Sequence, residues 1–265
     1  MTPRLFKQLN VNSKDEVDEG AVIEAAQQNP NDIDRMFEFS WYRCCPLHKA
    51  LELELGDDVI KLLISPFAIR HKDNRLRTPL RIICEKGASL ESLSMVLKAY
   101  PEAARKKDRL GCAPLHNICV NESASLEMLS MILNTWPEAA REKDRDSKTP
   151  LHRICGNERA SLKMSNESAS LEMLSMVLKA YPEAAREKDT DGCCTPLHNI
   201  CANESRDGCT PLHRICENER ASLEMLSMVL KAYPEAAREK DTDGCCETAV
   251  HHFTGFVPTN QHHWR

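Results

Sequence analysis

The stretch Thr149-Pro150-Leu151-His152-Arg153-Ile154-Cys155 decides the fold, because the same pattern recurs along the chain. Full or weaker copies begin at Pro46, Pro79, Pro114, Pro196 and Pro211. The prolines at 46, 79, 114 and 150 are 33, 35 and 36 residues apart. A period of this length is typical of repeat proteins, in which small units stack in a row and bury their core between neighbours.

Each unit carries the pattern of two helices. Thr149, or Ala113 in the equivalent place, precedes a proline at the first helical position, where the missing N–H costs nothing. A later stretch such as 125–133 has Leu, Met and Ile at helical spacing, and Pro137 ends it. The charged tail 138–144 predicts a protruding loop. The sequence therefore predicts an all-α fold of stacked helix-turn-helix units.

These motifs resemble ankyrin repeats. Five units carry a full or nearly full T-P-L-H-x-x-small pattern, followed by an amphipathic helix and a K-D-x-x-G turn. The resemblance covers residues 44–247 and implies an ankyrin-repeat solenoid with protruding loops. Residues 1–43 then form an irregular N-terminal capping repeat, and 248–265 form a degenerate tail. The chain departs from the family in its Y-P-E-A-A-R-E-K-D segments and in having Ile-Cys where the family usually has two alanines.

Two units are irregular in length. A near duplication of 157–165 adds residues between Pro150 and Pro196, and it predicts a bulge or a longer second helix. The half-unit 195–209 has a first helix but no second one. Residues 169–194 and 221–246 are identical, including exposed charged positions, which indicates recent copying of the segment.

The resemblance implies that a protein partner binds on the loop tips and on the exposed side of the first helices, which form a concave face. Transferred position by position, the candidates are Arg75, Leu76, Arg109, Leu110, Arg145, Asp146, Thr190 and Asp191 on the loops and Asn117, Arg153, Asn199 and Arg214 on the helices. These positions vary between units while the apolar positions do not. We therefore expect a protein-interaction scaffold.

The alternative is a metal-binding or redox-responsive protein. His-x-x-Cys pairs recur from His116 onwards, and cysteine pairs stand at 44–45, 193–194 and 245–246, with histidines near the end of the chain. The resemblance implies instead that the repeated histidine hydrogen-bonds the turns between repeats and that the cysteine replaces a small buried alanine. We expect the paired cysteines to be exposed, reduced thiols and expect no metal or cofactor.

Catalysis is not expected, because serines, histidines and aspartates recur with the repeat and do not converge on one point. A third hypothesis is a nonfunctional product of repeat copying. The run Arg70, His71, Lys72, Arg75, Arg77 and Arg81 offers a surface for an acidic protein segment, but no aromatic residues alternate with it to stack on bases. We expect no nucleic-acid partner.

Composition places the chain among ordinary weakly acidic proteins, with a formal net charge of -5 and 28% charged residues. It shows neither a secretory signal nor a run of about 18 apolar residues that a membrane helix needs. Thirteen cysteines without such a signal fit a reducing compartment. We expect a monomer in the cytoplasm or nucleus.

Overall fold

The computed structural model describes residues 2–39, 42–121, 123–155, 167–190, 195–196 and 223–234. These residues are mostly helical. The chain divides into two compact units, Met1–Arg145 and Asp146–Arg265.

The first unit consists of helix pairs packed side by side. Its helices are α1 (Arg4–Leu9), α2 (Glu19–Gln28), α3 (Pro46–Glu52), α4 (Asp57–Leu63), α5 (Pro79–Lys86), α6 (Leu90–Ala99), α7 (Pro114–Ile118) and α8 (Leu126–Thr135). The odd-numbered helices contact one another in order, and so do the even-numbered ones. The core therefore lies between two rows of helices, where it includes the fully buried side chains of Leu47, Leu80 and Leu93.

A short hairpin distinguishes this unit from the expected all-α fold. Strands β1 (Phe37–Phe39) and β2 (Tyr42–Cys44) pair antiparallel, with Phe37 opposite Cys44. Phe37 and Phe39 are two residues apart, so both face the same side of the hairpin. Their rings lie 5.4 and 5.3 Å from the ring of Phe6 on α1. The irregular capping repeat expected over residues 1–43 did not include this hairpin.

The helices begin and end at the residues that the motif marks. Pro46, Pro79 and Pro114 are each the first residue of their helix, and Thr78 accepts a hydrogen bond from the Arg81 N–H. Ser89 and Ser125 cap the second helices in the same way. Gly87 ends α5 with φ 72°, a left-handed conformation that favours glycine.

The tail after α6 and after α8 is a short 3-10 helix, which corrects the protruding loop expected there. Pro101–Arg105 and Pro137–Arg141 both have the sequence P-E-A-A-R. Their alanine pairs are fully buried, and each 3-10 helix contacts the second helix before it. Two small side chains in succession let this segment lie close to the helix, so only the residues after it reach the turn.

The second unit begins with α9 (Pro150–Cys155) and continues with α10 (Glu167–Ala180), the 3-10 helix Pro182–Arg186 and α11 (Leu223–Ala232). Helix α10 contacts both α9 and α11. It has 14 residues, against 10 in α6 and α8, and its extra residues precede Leu171, the equivalent of Leu126. The four additional residues, 167–170, have the same sequence as 122–125 before α8, so the bulge or longer helix expected from the near duplication stays a prediction. Residues 157–165, all of the half-unit 195–209 beyond Pro196, and the tail 248–265 lie outside the described residues.

Candidate interaction surface

One aspartate organises each of the turns that lead into α5 and α7. The Asp73 carboxylate accepts hydrogen bonds from the N–H groups of Arg75 and Arg77, at 2.9 and 2.8 Å. The Asp108 carboxylate accepts from those of Leu110 and Cys112, at 2.7 and 2.8 Å. The aspartate side chain satisfies backbone donors that the tight turn leaves unpaired. Each turn therefore keeps one backbone shape while the side chains at its tip vary.

Backbone hydrogen bonds join neighbouring turns of the first unit. The Asn74 N–H donates to the carbonyl of Arg43 at 3.1 Å, and the Arg145 N–H donates to the carbonyl of Leu110 at 2.9 Å. Arg109 adds a side-chain link, because its guanidinium donates to the Asn74 carbonyl at 3.2 Å. Strand β2, which contains Arg43, thus stands beside the first turn. The exposed tips of the first, second and third turns, at 74–76, 109–111 and 145–147, follow one another in a row.

The structure places the predicted loop residues at the surface. Arg75, Leu76, Arg109, Leu110, Arg145, Asp146 and Thr190 are exposed. Leu76 and Leu110 have 42% and 60% of their surface accessible, which is high for leucine. On the first helices, Asn117 and Arg153 are only half-buried. Asp191, Asn199 and Arg214 lie outside the described residues.

The register assigned to the first turn from sequence is wrong by one residue. The aspartate hydrogen bonds make Arg75, not Leu76, the equivalent of Leu110. Leu76 instead matches Gly111, and these two residues have φ of 61° and 77°. The next turn repeats this feature at Ser147, with φ 57°. The Arg-Leu dipeptides 75–76 and 109–110 are alike in sequence, but they lie at different distances from the aspartate that sets the backbone of each turn.

Arg43 is a tip residue that sequence reasoning missed. Its carbonyl accepts from the first turn, just as the Leu110 carbonyl accepts from the third, and its side chain is exposed. The only available signal was the alternation of Phe37 and Phe39 before it, which fits a strand as well as irregular chain. Because the hairpin was not recognised, Arg43 was not placed beside the turns.

The basic run from Arg70 to Arg81 does not form one positive surface. Arg77 is 7% exposed, and it pairs with Asp73 at 2.8 Å and with Glu52. Arg81 pairs with Glu85 at 2.6 Å and with Asp108. Burial lowers the pKa of Arg77, but the carboxylates of Asp73 and Glu52 offset this and leave its pKa raised.

The remaining residues of that run point elsewhere. The Arg70 guanidinium lies 5.3 Å from the centre of the Tyr100 ring, and His71 stacks on Phe67 at 4.5 Å. Arg75 lies 5.3 Å from the Tyr42 ring. The tertiary fold brings Glu52, Glu85 and Asp108 to the arginines of this run. A single binding patch made of the whole run is therefore ruled out.

The repeated histidine holds the start of its own helix. His116 Nδ1 accepts from the Ala113 N–H at 3.2 Å, and His152 Nδ1 accepts from the Thr149 N–H at 3.1 Å. His48 differs, because its Nδ1 makes no such bond and its Nε2 lies 3.2 Å from the His71 carbonyl oxygen in the turn that follows. Burial lowers the pKa of His48 to about 4, so this ring is neutral at pH 7.

The cysteines at 44 and 45 are buried, which corrects the expectation of exposed thiols. Burial raises the pKa of Cys44 well above its usual value and that of Cys45 to about 12. Such thiols are poor nucleophiles at neutral pH. Within the described ranges, His, Cys, Asp and Glu form no group of three or more with the geometry to hold a metal ion. The cysteine pairs at 193–194 and 245–246 and the terminal histidines lie outside these ranges.

An open groove of about 590 Å³ lies between the start of α1 and the hairpin. Phe6, Met36 and Phe37 line it together with Arg35 and Arg43. Arg35 pairs with Asp32 at 3.2 Å. The groove thus adjoins the row of turns at Arg43.

Comparison with models of protein families gave no match, and comparison with curated proteins gave none either. Among the described helices, none combines the length and the apolar character needed to cross a bilayer.

Proposed function

We propose that this chain is a repeat protein of the ankyrin type that binds a partner protein on its turn tips and first helices and has no catalytic activity. The observation that carries the proposal is the contrast within each turn. In the first two turns a buried aspartate side chain holds the backbone. The exposed residue two positions after the aspartate changes from Arg75 to Leu110, and to Asp146 in the third turn. A constant frame with variable exposed side chains suits recognition of a partner.

The repetition of the motif supports a binding role over an enzymatic one. A catalytic site needs different groups held at one point, within hydrogen-bond reach of each other. Here the histidines at equivalent places, His116 and His152, are buried, and each bonds to the backbone at the start of its own helix. These hydrogen bonds stabilise the first helix of each unit. The surface that differs from unit to unit is that of the exposed turn tips.

The test uses a tip variant and a matched control in the full chain. Leu110→Asp with Arg145→Glu should abolish most of the capture of a specific partner from cell lysate. Leu90→Asp with Lys98→Glu makes the same chemical changes at exposed positions of α6, and capture should be retained. Thermal unfolding of both variants checks that the fold is intact. Equal capture by the wild-type chain and the tip variant would refute binding at the tips.

A further inference from the structure

The row of turn tips in the first unit carries positive charge on a chain that is acidic as a whole. The exposed arginines of this row are Arg43, Arg75, Arg109 and Arg145, which we call the tip arginines. We propose that the tip arginines bind an extended acidic segment of a partner protein that also carries apolar side chains. This inference rests on the proposed function and names the chemistry of the partner.

The acidic residues of the turns do not cancel the tip arginines. The side chains of Asp73 and Asp108 are 0% and 1% exposed, and Asp144 is also buried. The carboxylates of Asp73 and Asp108 bind backbone N–H groups of their own turns and a buried or half-buried arginine. The aspartates that shape the first two turns are therefore withdrawn from the surface, where Arg75 and Arg109 remain exposed. The third turn exposes Asp146 next to Arg145.

The tip arginines are also available for a partner. In the part of the chain that the structure describes, none of the four forms an ion pair with a carboxylate. Arg109 donates one hydrogen bond to the Asn74 carbonyl, and Arg75 lies over the Tyr42 ring. Both contacts hold the side chain in place without neutralising it. Positioned arginines lose less freedom when they bind a carboxylate, and each can do so in a bidentate manner.

Apolar side chains stand between the arginines. Leu76 and Leu110 are 42% and 60% exposed and belong to adjacent turns. Covering them with apolar side chains of a partner removes this surface from water. A segment with only carboxylates would leave both leucines exposed, so the surface favours a segment in which acidic and apolar residues are mixed.

The arrangement of the tips indicates an extended segment. The Arg109 side chain links the second turn to the first at 3.2 Å, and the Arg145 N–H links the third turn to the second at 2.9 Å. The tips therefore lie in a row, which an extended chain can follow from Arg43 to Arg145.

A protein segment fits this surface better than a nucleic acid. The tips at 74–76, 109–111 and 145–147 contain no aromatic residue on which bases could stack. The chain has a formal net charge of -5, so it repels a long polyanion while the local row attracts a short acidic segment.

The experiment measures fluorescence anisotropy of a fluorescein-labelled peptide made of three Asp-Leu-Glu-Pro repeats, titrated with the full chain at low salt. Proline keeps the peptide extended. The variant R43Q/R75Q/R109Q/R145Q should bind at least about tenfold more weakly, because it removes four positive charges at the tips. The control K7Q/K61Q/K86Q/K98Q removes four exposed charges elsewhere in the same unit and should bind within about twofold of the wild type. Equal weakening in both variants would show a net-charge effect and overturn the proposal.

A second variant tests the leucines. Leu76→Ser with Leu110→Ser should weaken binding about fivefold, since two apolar contacts are lost. Serine is tolerated at the position of Leu76, because Ser147 has the same backbone conformation one turn further on. Binding of a peptide with serine in place of its leucines should not respond to this variant. An equal response by both peptides would contradict the apolar contacts.

Two further outcomes separate the alternatives. A single-stranded oligonucleotide of the same net charge should bind at least about tenfold more weakly than the peptide, and equal affinity would overturn the inference. Failure of the acidic peptide to bind would also overturn it. If a captured partner still depended on Leu110 and Arg145 after such a failure, the proposed function would stand and only the acidic chemistry would fall.

Discussion

At the scale of single residues, the turns depend on one backbone position that only some residues adopt without strain. Leu76, Gly111 and Ser147 occupy this position with positive φ. A Cβ at Gly111 would lie 2.9 Å from the backbone nitrogen of Arg145. Leucine and alanine both carry the steric cost of the left-handed region, about 1 to 2 kcal/mol. The same position is therefore strained in the first turn and relaxed in the second.

This difference predicts opposite effects for two reciprocal substitutions. Gly111→Ala should lower the free energy of unfolding by about 2 kcal/mol, from left-handed strain and the close contact with the next turn. Leu76→Gly should raise it by up to about 1 kcal/mol, because relief of strain exceeds the entropy cost of glycine. Urea denaturation of both variants measures these changes. A destabilised Leu76→Gly variant would mean that the leucine side chain contributes more to the fold than its exposure indicates.

His48 predicts a pH dependence of stability. Burial lowers its pKa to about 4 from the ordinary value of 6.5, while Asp73 and the hydrogen bond to His71 oppose the change and Arg77 adds to it. A histidine with a lowered pKa in the folded state binds its proton more readily when unfolded. Its contribution is therefore fully present above pH 6.5 and is lost as the pH falls towards 4.

We expect the wild-type chain to lose about 2 kcal/mol more than His48→Gln between pH 7 and pH 4.5, by linkage. Urea denaturation at several pH values measures the difference between the two proteins, and subtraction removes the contribution of other groups. Parallel curves would show that His48 titrates normally in the folded chain.

At the scale of elements, the P-E-A-A-R segments connect one repeat to the next. Two of these segments end in an arginine that lies over the aromatic residue before a later segment: Arg105 over Trp136 at 5.8 Å and Arg186 over Tyr233 at 4.9 Å. The related segment 66–70 reads P-F-A-I-R, and its Arg70 lies over Tyr100 at 5.3 Å. These segments thus have a structural role, since the aromatic ring and the arginine of successive units attract each other.

Arg105→Ala tests this contact. The variant should lower the free energy of unfolding by about 1 kcal/mol, the range expected for a cation–π pair of this kind. Lys106→Ala, at the exposed neighbouring position, should change it by less than about 0.5 kcal/mol. The urea midpoints of the two variants give the comparison. Equal losses of stability in the two variants would show that the contact between Arg105 and Trp136 contributes nothing of its own.

At the scale of the whole molecule, stability in the first unit is shared between neighbouring helices. Helix α5 contacts both α3 and α7, and Leu80 on α5 is fully buried. In a repeat protein a unit is stable largely through the interfaces with its neighbours. A cavity in α5 should therefore weaken α3 and α7 as well.

Leu80→Ala should cost about 2 to 5 kcal/mol, as for other buried leucines. Hydrogen exchange of α3, α5 and α7 should accelerate together. The control is Leu90→Ala, which truncates a leucine that is 41% exposed and should leave exchange nearly unchanged. Acceleration confined to α5 would show that the units of this chain unfold independently.

The sequence by itself determined where the helices of each unit begin and end. Proline, the capping Thr78, Ser89 and Ser125, and the apolar spacing act over a few residues, so the local chain carries the information. It also indicated which loop residues are exposed.

Only the tertiary structure decided which charges remain at the surface. Arg77 and Arg81 look like Arg75 in sequence, but Glu52, Glu85 and Asp108 pair with them across repeats. The hairpin and the place of Arg43 were decided in the same way, because pairing of two three-residue strands depends on the packing of their phenylalanines against Phe6. Local patterns specify helices, whereas burial and ion pairing depend on residues that are distant in the chain and meet only in the fold.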